Sequence, residues 1–570
     1  MEACLLKMKF FLSSLLILSC SIESQIFNSQ AIVHPNVGKD GMVVTQHYLA
    51  TDVGHSILQK GGNAYDASIA VAFALAVVLP RAGNIGGGGF MLMHDGDTNK
   101  NYSIDYREIA PAGATKDMYL NKDGSVDKKR STQGALAIGV PGTVYGMWEV
   151  HKKFGSLPWK ELIKPAVDLA RNGFQISPFM ADALNSRYKK LGQFQNFKKI
   201  FYAEYPVAMH SNLVQVDLAN TLEIIAHKGA AGFYEGEIAE LIAGYMKSNN
   251  GLITKTDLRN YRPVWREPIQ ADYREYQIVT MPPPSSGGIH IIQMLNILEH
   301  YDLAALGHNS PTYTALLTEV MKYAYADRSK YLGDPDFFDV PVNELISKTY
   351  ADKIHQRIVL NKISPSEAIL PGDALPHESL DTTHFSIADK HGNVVSNTYT
   401  LNSGFGSGVV IDGTGILMNN EMDDFVSSPG VPNQFGLVGG EANKIEPFKR
   451  PLSSMTPTLV FQDNQPIIAT GSPGGSRIIT AVLQFLLNTL DFKMEISDAT
   501  VVPRIHHQWK PDVLMLEKGF DEIHVETIRS LDQEVYISGP GTSLESLEIK
   551  NNLFYGFGDT RRPDSKAKGL

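Results

Sequence analysis

The chain has 570 residues, of which 43% are hydrophobic and 20% charged, and its formal net charge at pH 7 is -10. This composition is typical of a folded globular protein and excludes a disordered or fibrous chain, while the length allows several domains or one large layered domain. The charge is spread along the sequence without a basic cluster, which argues against nucleic acid as a partner.

The N-terminal residues predict an export signal. Lys7 and Lys9 precede the apolar run Phe10–Leu18, which is too short to span a bilayer but has the length of a secretory signal core. We therefore expect residues 1–25 to be a signal peptide, with cleavage between about Cys20 and Gln30, and the mature protein to be periplasmic or secreted. A buried N-terminal helix is the alternative interpretation of this stretch.

The two cysteines, Cys4 and Cys20, both lie in this stretch. The rest of the chain therefore offers no thiol for catalysis, metal binding or disulfide formation. Because Ile17-Leu18-Ser19-Cys20 loosely resembles a lipoprotein signal, lipidation of Cys20 stays open, although Leu18 is large for that motif. Ordinary cleavage of an export signal is the favoured prediction.

The strongest helix pattern after the signal is the apolar, Ala- and Val-rich stretch Asn63–Leu79. Asn63 is a good N-cap residue and Pro80 ends the pattern, so we expect a helix that is buried on most sides. A glycine tract, Gly86–Gly89, then leads into the strand-like run Phe90–His94. A phosphate-binding loop is the rival interpretation of this tract, but no Gly-Lys-Ser/Thr ending follows it and the segment before it is helical.

Further elements follow along the chain. Helices are predicted at Val144–Phe154, Trp159–Asn172 and Ile238–Lys247, and a loop at Pro282–Gly288. The stretch Ile363–Leu380 is rich in Pro, Ser and Glu and is predicted to be a mobile connector, which puts a boundary near residue 380. After this boundary, alternating patterns predict short strands at Thr382–Ala388, Val394–Leu401, Leu459–Phe461 and Ile467–Thr470.

The first two of these strands have the pattern of a β-hairpin. A three-residue loop, Lys390-His391-Gly392, would put its glycine at the left-handed position and would pair Thr382 with Thr400. Paired residues have Cβ atoms roughly 4.5–5.5 Å apart, so the two hydroxyls would be neighbours. A two-residue loop would place Leu401 opposite Thr382 instead. By itself such a Thr–Thr pair is most often a structural feature of a sheet.

Eight short motifs run through the chain in a fixed order. They are Gly62-Asn63-Ala64-Tyr65-Asp66-Ala67, Gly86-Gly87-Gly88-Gly89, Asp105-Tyr106-Arg107-Glu108, Thr382-Thr383-His384-Phe385-Ser386, Thr398-Tyr399-Thr400-Leu401-Asn402, Asn419-Asn420-Glu421-Met422-Asp423-Asp424-Phe425, Lys449-Arg450-Pro451-Leu452-Ser453-Ser454-Met455 and Gly471-Ser472-Pro473-Gly474-Gly475-Ser476-Arg477. Together they resemble the γ-glutamyltransferases of the N-terminal-nucleophile hydrolase superfamily. The resemblance implies an α+β fold, a four-layer αββα sandwich. It also implies a large subunit of residues 26–381 and a small subunit of residues 382–570, both formed from one precursor and joined as a heterodimer.

The resemblance implies that Thr382 is both the residue that cuts the chain and the catalytic nucleophile. Its hydroxyl would attack the Asp381 carbonyl, and cleavage would free an α-amine whose ordinary pKa of about 7.7–8.0 suits a base. In the mature enzyme, Thr382 would attack glutathione or another γ-glutamyl compound. Water or an amino-acid or peptide acceptor would then take the γ-glutamyl group. The resemblance implies no cofactor and no metal.

Further site residues are implied by the same resemblance. Thr400 would hydrogen-bond the nucleophile, and the amides of Gly474 and Gly475 would stabilise the oxyanion. Read without the motifs, a Gly-Gly pair is most often only a turn, and a lone arginine or two acidic loop residues are most often solvated. The predicted substrate-binding residues are Arg107, Ser453 and Ser454 for the α-carboxylate and Asn402, Glu421 and Asp424 for the α-ammonium.

Two details qualify this interpretation. Phe435 lies in the stretch Pro429–Lys449, which resembles the lid of the family at a position where some bacterial members carry tyrosine, so one lid hydrogen bond would be missing. His506-His507 could suggest a metal, but no third ligand stands at metal-binding spacing, so core or hydrogen-bonding histidines are predicted.

Two other functions stay open from the sequence. A related acylase on the same scaffold would remove a glutaryl-like side chain from a β-lactam, although that substrate lacks the α-ammonium for which Asn402, Glu421 and Asp424 are predicted. A non-catalytic exported binding protein would keep the fold without chain cleavage.

Overall fold

The computed structural model describes residues 33–369, 382–428, 431, 433, 434, 436–539 and 541–570. The predicted signal peptide with Cys20, the residue Asp381 and the lid residue Phe435 lie outside the described residues. Residues 35–570 fold as one unit, which includes residues from both sides of the predicted cleavage point. No helix within the described ranges is long and apolar enough to span a membrane.

The strands form two large sheets and two small ones. The first sheet has the order β1-β18-β17-β13-β12-β9-β8, and the second sheet has the order β19-β2-β10-β11-β3-β4-β7. The small sheets are β14-β15-β16 and β5-β6. The strands of the described residues are β1 (Asn36–Gly38), β2 (Gly41–Thr45), β3 (Gly88–Asp95), β4 (Lys100–Asp105), β5 (Phe174–Gln175), β6 (Asn212–Leu213), β7 (Val264–Arg266), β8 (Ile269–Tyr273), β9 (Tyr276–Thr280), β10 (Thr382–Asp389), β11 (Val394–Thr400), β12 (Thr458–Gln462), β13 (Gln465–Thr470), β14 (Ile505–His506), β15 (Val513–Glu517), β16 (Glu534–Ser538), β17 (Glu545–Lys550), β18 (Leu553–Gly558) and β19 (Lys566–Gly569).

The helices lie between these strands. The α-helices of the described residues are Tyr48–Gln59, Ala64–Val78, Lys128–Thr132, Thr143–Phe154, Trp159–Asn172, Pro178–Leu191, Gln195–Phe201, Val216–Lys228, Ala231–Tyr234, Gly236–Ser248, Lys255–Asn260, Gly287–Leu298, Leu303–Leu306, Pro311–Tyr331, Val342–Leu345, Lys348–His355, Arg477–Leu490, Ile496–Val501 and Glu522–Arg529. Short 3₁₀ helices lie at Ala135–Ala137, Ser366–Ala368, Glu421–Asp424 and Glu441–Asn443.

The two large sheets pack face to face and are covered on their outer sides by helices. Met42 and Ala388 of the second sheet share a buried apolar cluster with Leu459 and Leu547 of the first. The helix Ala64–Val78 packs on β10 and β11, so it covers the outer side of the second sheet. Across the molecule, Gly287–Leu298 packs on β8 and β9 and against Arg477–Leu490. The predicted four-layer αββα sandwich is confirmed.

The helix Ala64–Val78 is buried over its whole length, as its apolar sequence predicted. Its first turn is held by a capping box. The Asn63 side chain accepts a hydrogen bond from the Asp66 amide (2.9 Å), and the Asp66 carboxylate accepts one from the Asn63 amide (3.1 Å). This helix gives the second sheet a rigid apolar backing, which fixes the strands that carry the site.

The predicted hairpin is confirmed together with its register. Thr382 of β10 pairs with Thr400 of β11, and Gly392 in the loop has φ +81°, the left-handed conformation that favours glycine. Ser386 donates its hydroxyl proton to the Glu545 carbonyl of the first sheet (2.8 Å). Because side chains alternate along a strand, Thr382 faces the space between the sheets on the same side as Ser386.

The glycine tract serves close packing around Thr400. A Cβ on Gly87 would lie 2.1 Å from the Thr400 carbonyl oxygen, and one on Gly89 would lie 2.4 Å from Tyr399 Cβ. Asn84 donates to the same Thr400 carbonyl (2.8 Å). The absence of side chains therefore lets the tract lie against β11 and hold Thr400 in place.

The prediction of a mobile connector is wrong for the described residues 363–369. Trp509 donates its indole proton to the carbonyls of Ser366 (2.9 Å) and Ile369 (2.8 Å). Asp512 accepts a bond from the Ser366 amide (2.6 Å) and lies 3.1 Å from a ring nitrogen of His507. Polar partners more than 100 residues away thus hold this Pro-, Ser- and Glu-rich stretch, and residues 370–380 lie outside the described residues.

Two smaller sequence predictions have different outcomes. The loop Pro282–Gly288 ends early, because its last two residues begin the helix Gly287–Leu298. His506 and His507 are buried hydrogen-bonding histidines, as predicted, and a ring nitrogen of His506 lies 2.9 Å from the Thr480 hydroxyl.

Glu545 at the start of β17 should make the stability depend on pH. Burial raises its pKa to about 8, so between about pH 4.5 and 8 the folded chain holds a proton that unfolding releases. The free energy of unfolding should therefore fall as pH rises through this window. Glu545→Gln stays neutral, and it should remove this dependence and be more stable than the parent at pH 8 by about 4 kcal/mol. Denaturant unfolding near pH 5 and pH 8 measures the difference, and parallel pH dependence in both proteins would contradict the prediction.

Candidate active site

Two threonine hydroxyls meet at the end of the confirmed hairpin. Thr382 is the first residue of β10 and Thr400 the last of β11, and their Oγ1 atoms are 3.3 Å apart. The Thr400 hydroxyl also accepts a hydrogen bond from the Asn402 amide (2.8 Å). Both threonines are almost fully buried, with 7% and 3% of their surface exposed. The pair thus has a fixed orientation in a site with little water.

A small cavity opens beside this pair. Residues from distant parts of the chain meet there, with Arg107 after β4, the 3₁₀ turn Glu421–Asp424, and the stretch before β12. Gly474 is not in the lining but directly precedes Gly475, which is. Asp381 lies outside the described residues. The predicted site residues that line the cavity are Arg107, Thr382, Thr400, Asn402, Glu421, Asp424, Ser453, Ser454 and Gly475.

Arg107 is a buried cation in the lining of this cavity, with 1% of its surface exposed. Its guanidinium donates to Asp424 Oδ2 (2.5 Å) and to the Glu421 carboxylate. It also donates to the backbone carbonyls of Pro451 (3.3 Å) and Leu452 (3.4 Å). The arginine and the two carboxylates, which the sequence assigned to opposite ends of one substrate, are thus paired with each other.

The carboxyl groups around Arg107 are strongly perturbed. Burial raises the pKa of Glu421 and of Asp424, although the Arg107 guanidinium opposes the shift. Burial also raises the pKa of Glu108 to about 7, and a Glu108 oxygen lies 3.8 Å from Arg107 Nη1. Three acidic groups therefore surround one guanidinium, and the cluster can accept hydrogen bonds from a further cation.

Arg328 is a site residue that the sequence analysis missed. It projects from the helix Pro311–Tyr331 and donates to the hydroxyls of Ser286 (3.0 Å) and Ser454 (3.3 Å). Burial lowers its pKa to about 10, which still leaves it charged at neutral pH. Ala324 precedes it by one helical turn in a mostly buried helix. An arginine on the apolar face of a helix is the sequence feature that could have identified Arg328.

Gly474 and Gly475 lie directly before the helix Arg477–Leu490. Both have positive φ, 132° and 56°, and a Cβ on Gly474 would lie 2.7 Å from Thr542 Cγ2, so this turn requires glycine. In the part of the chain that the structure describes, neither amide donates to a backbone carbonyl. Gly475 lines the same cavity as Thr382, so its backbone lies close to the nucleophile.

The described residues of the predicted lid stretch contact the site. Asn433 donates to Asp424 Oδ1 (3.3 Å), and the Ser403 hydroxyl donates to the side-chain oxygen of Gln434 (2.5 Å). Leu437 lines the cavity itself. Among the described side chains, no cluster of three His, Cys, Asp or Glu residues is placed to hold a metal ion.

Comparisons with known proteins agree on one family. A family model described as gamma-glutamyltranspeptidase matches residues 50–569. The chain is 48% identical over 554 residues to the glutathione hydrolase proenzyme of Escherichia coli (strain K12), covering 97% of this chain and 94% of that protein.

Solved structures also resemble this chain. A cephalosporin acylase from Bacillus halodurans superposes with a TM-score of 0.85 at 26% identity, covering 96% of this chain and 98% of that one. The γ-glutamyltranspeptidase of Helicobacter pylori is 47% identical, with a TM-score of 0.56, over 58% of this chain and 96% of that one. The family model and the high identity over nearly the whole length show that the chain belongs to the γ-glutamyltranspeptidase family.

Proposed function

We propose that the protein is a γ-glutamyltransferase that hydrolyses glutathione and uses Thr382 as its nucleophile. The observation that carries the proposal is the Thr382–Thr400 hydroxyl pair, which opens onto the cavity of Arg107, Glu421 and Asp424. The name of the Escherichia coli relative, glutathione hydrolase proenzyme, supports both the donor and a precursor that must be cut.

Chain cleavage is the first proposed step. The Thr382 hydroxyl attacks the Asp381 carbonyl, and the peptide C–N bond breaks as the Thr382 nitrogen takes up a proton. The resulting ester is opened by water, which leaves a carboxylate on Asp381 and restores the Thr382 hydroxyl. The products are a large subunit ending at Asp381 and a small subunit that begins with a free α-amine. That amine, with an ordinary pKa of about 7.7–8.0, then serves as the base for its own hydroxyl.

Turnover repeats the same chemistry on a γ-glutamyl amide. Thr382 Oγ1 attacks the γ-carbonyl, and its proton passes through the α-amine to the leaving amine. The oxyanion of the tetrahedral intermediate is stabilised by the amides of Gly474 and Gly475. Water resolves the γ-glutamyl ester in hydrolysis, and an amino-acid or peptide amine resolves it in transfer.

The amino-acid end of the donor binds in the Arg107 cavity. A guanidinium holds a carboxylate with two parallel hydrogen bonds, so Arg107 takes the α-carboxylate with help from the Ser453 and Ser454 hydroxyls. Glu421 and Asp424 accept hydrogen bonds from the α-ammonium, with Asn402 beside them. When the donor enters, Arg107 therefore shares its donor groups between these two carboxylates and the substrate.

Purified wild-type protein tests the proposal. We expect two bands on a denaturing gel, with the smaller one starting at Thr382 by N-terminal sequencing, and rapid release of nitroaniline from γ-glutamyl-p-nitroanilide. A glutaryl amide lacks the α-ammonium and should be a much poorer donor. Faster turnover of the glutaryl amide would favour the acylase function, and a single uncut chain without turnover would favour a binding protein.

We also propose that the protein is exported and acts in the periplasm or as a secreted enzyme. The proposal is supported by the charged and then apolar N-terminal sequence, with Lys7 and Lys9 before Phe10–Leu18. N-terminal sequencing of the large subunit from cell fractions tests it. A retained residue 1 in a cytoplasmic fraction would contradict export.

Thr400→Val should slow both chain cleavage and turnover. It removes the hydroxyl beside Thr382 Oγ1 and leaves the buried Asn402 amide without its acceptor. A lost hydrogen bond of this kind is expected to lower kcat by about 10–100-fold. Thr398→Val is the matched control, since that hydroxyl is 2.8 Å from a His384 ring nitrogen outside the cavity. Equal kcat values for Thr400→Val and the parent enzyme would contradict a role for Thr400.

A further inference from the structure

A second cavity reaches Thr382 in addition to the one around Arg107. Its lining includes Thr382, Gln46, Arg81, Phe179, Arg562 and Asp564. Thr382 is the one lining residue of the described chain that both cavities share. The nucleophile therefore stands where two cavities of different character meet.

The two cavities lie on opposite flanks of the strand that carries Thr382. In the second sheet β10 lies between β2 and β11. Thr400 ends β11 and lines the Arg107 cavity, whereas Gln46 directly follows β2 and lines the second cavity. A substrate bound across Thr382 would thus place one end on the β11 side and the other on the β2 side.

Two arginines line the second cavity, the buried Arg81 and the half-buried Arg562. The guanidinium of Arg81 lies 4.8 Å from the centre of the Phe179 ring, and that of Arg562 lies 5.4 Å from the same ring. Burial and then the charges of Arg562 and Arg187 lower the pKa of Arg81, so three cationic groups act on one another here. The lining also holds one carboxylate, Asp564, which accepts a hydrogen bond from the Ser177 hydroxyl (2.6 Å).

The reaction requires a place for the amine side of the scissile amide. If the amino-acid end of the donor fills the Arg107 cavity and its γ-carbonyl lies at Thr382 Oγ1, the leaving group has to extend away from that cavity. The cavity on the β2 side adjoins Thr382 in that direction. In glutathione the leaving group is a dipeptide with a terminal carboxylate, and an amino acid that enters as acceptor also carries one. Paired guanidinium groups are well suited to hold such a carboxylate.

We propose that Arg81 and Arg562 form the subsite for the carboxylate on the amine side of the scissile bond. The enzyme would then favour donors whose leaving group ends in a free carboxylate, and peptide or amino-acid acceptors of the same kind. This inference rests on the γ-glutamyl transfer function proposed above and names the substrate class within it.

The wild-type enzyme provides the first test. The kcat/KM values are measured for glutathione, for glutathione amidated at its C-terminal carboxyl, and for γ-glutamyl-p-nitroanilide, whose leaving group has no carboxylate. We expect the kcat/KM for glutathione to be about tenfold higher than that for its amide. This is the effect of losing one charge-assisted hydrogen bond. Equal values for glutathione and its amide, with normal turnover of the nitroanilide, would overturn the subsite alone. No turnover of any donor would overturn the proposed function and the subsite with it.

Variants provide the second test. In Arg81→Gln and in Arg562→Gln, the ratio of kcat/KM for glutathione to kcat/KM for glutathione amide should fall from about ten to about one. The fall should come mainly from a higher KM for glutathione. Arg81→Lys should restore part of the ratio, because it keeps the charge. The exposed Arg529, which pairs with Glu526, gives the matched control Arg529→Gln, with an unchanged ratio. A ratio retained in both glutamine variants would overturn the proposal, and if a variant stays uncut, the comparison in the wild-type enzyme decides.

Discussion

Thr382→Ala is expected to remain a single uncut chain and to lose γ-glutamyl turnover by about 10⁴-fold or more. The variant lacks the hydroxyl that attacks the Asp381 carbonyl, so no free α-amine forms at residue 382. It also lacks the hydroxyl that attacks the substrate, so the two losses come from one atom. A denaturing gel and release of nitroaniline from γ-glutamyl-p-nitroanilide measure both effects.

Neighbouring variants separate this role from a structural one. Thr383→Ala is the matched control, because Thr383 is also fully buried on β10 but does not line the cavity of Arg107. It should be cut, with kcat within about threefold of the parent. Thr382→Ser keeps a hydroxyl and should be cut more slowly. A cut Thr382→Ala chain, or one that stays active, would contradict the assignment of Thr382.

Features set by neighbouring residues could be predicted from the sequence. The helix Ala64–Val78 follows from an apolar run between a good N-cap and Pro80, and the hairpin follows from a glycine at the left-handed loop position. The register then placed Thr382 opposite Thr400 without any knowledge of the fold. Both are short-range effects, in which the residues that decide the structure lie within one turn or one strand of it.

Features that depend on distant partners could not be predicted. Composition alone suggested a mobile stretch before residue 380, but Trp509 and Asp512 hold its first residues by side-chain hydrogen bonds. Arg328 was missed because its place in the cavity depends on how the helix Pro311–Tyr331 packs. The pairing of Arg107 with Glu421 joins residues more than 300 positions apart. No local pattern contains such contacts.

The position of Thr382 in the sheet relates chain cleavage to turnover. β10 pairs with β11 from Thr382 onward and with β2 from Phe385 onward, so its first residue is held on the β11 side. Cleavage therefore creates a chain end at a buried residue rather than at the molecular surface. The same two cavities that receive the halves of a γ-glutamyl amide adjoin this residue.

Arg107→Gln is expected to lower both activity and stability strongly. It leaves the carboxyls of Glu421, Asp424 and Glu108 in a buried site without their nearest cation, which should cost about 3–5 kcal/mol in the free energy of unfolding. The loss of stability should become smaller as pH falls toward 5, because these carboxyls have raised pKa values and become neutral when protonated. Loss of the α-carboxylate partner should lower kcat/KM for γ-glutamyl donors by about 10³-fold.

Two comparisons separate binding from folding in this prediction. Arg107→Lys keeps the positive charge but lacks the planar guanidinium with its paired donors. Its stability should therefore be closer to that of the parent than its KM is. Arg266→Gln breaks the buried pair of Arg266 with Asp105 (2.8 Å), which lies outside the cavity, and should lower stability with little change in KM.

Arg107 variants should also lose turnover of a glutaryl amide, which keeps the carboxylate. Asp424→Asn should instead reduce only the preference for γ-glutamyl over glutaryl donors, since Asp424 is assigned to the ammonium. An Arg107→Lys enzyme with an unchanged KM would show that the carboxylate binds elsewhere.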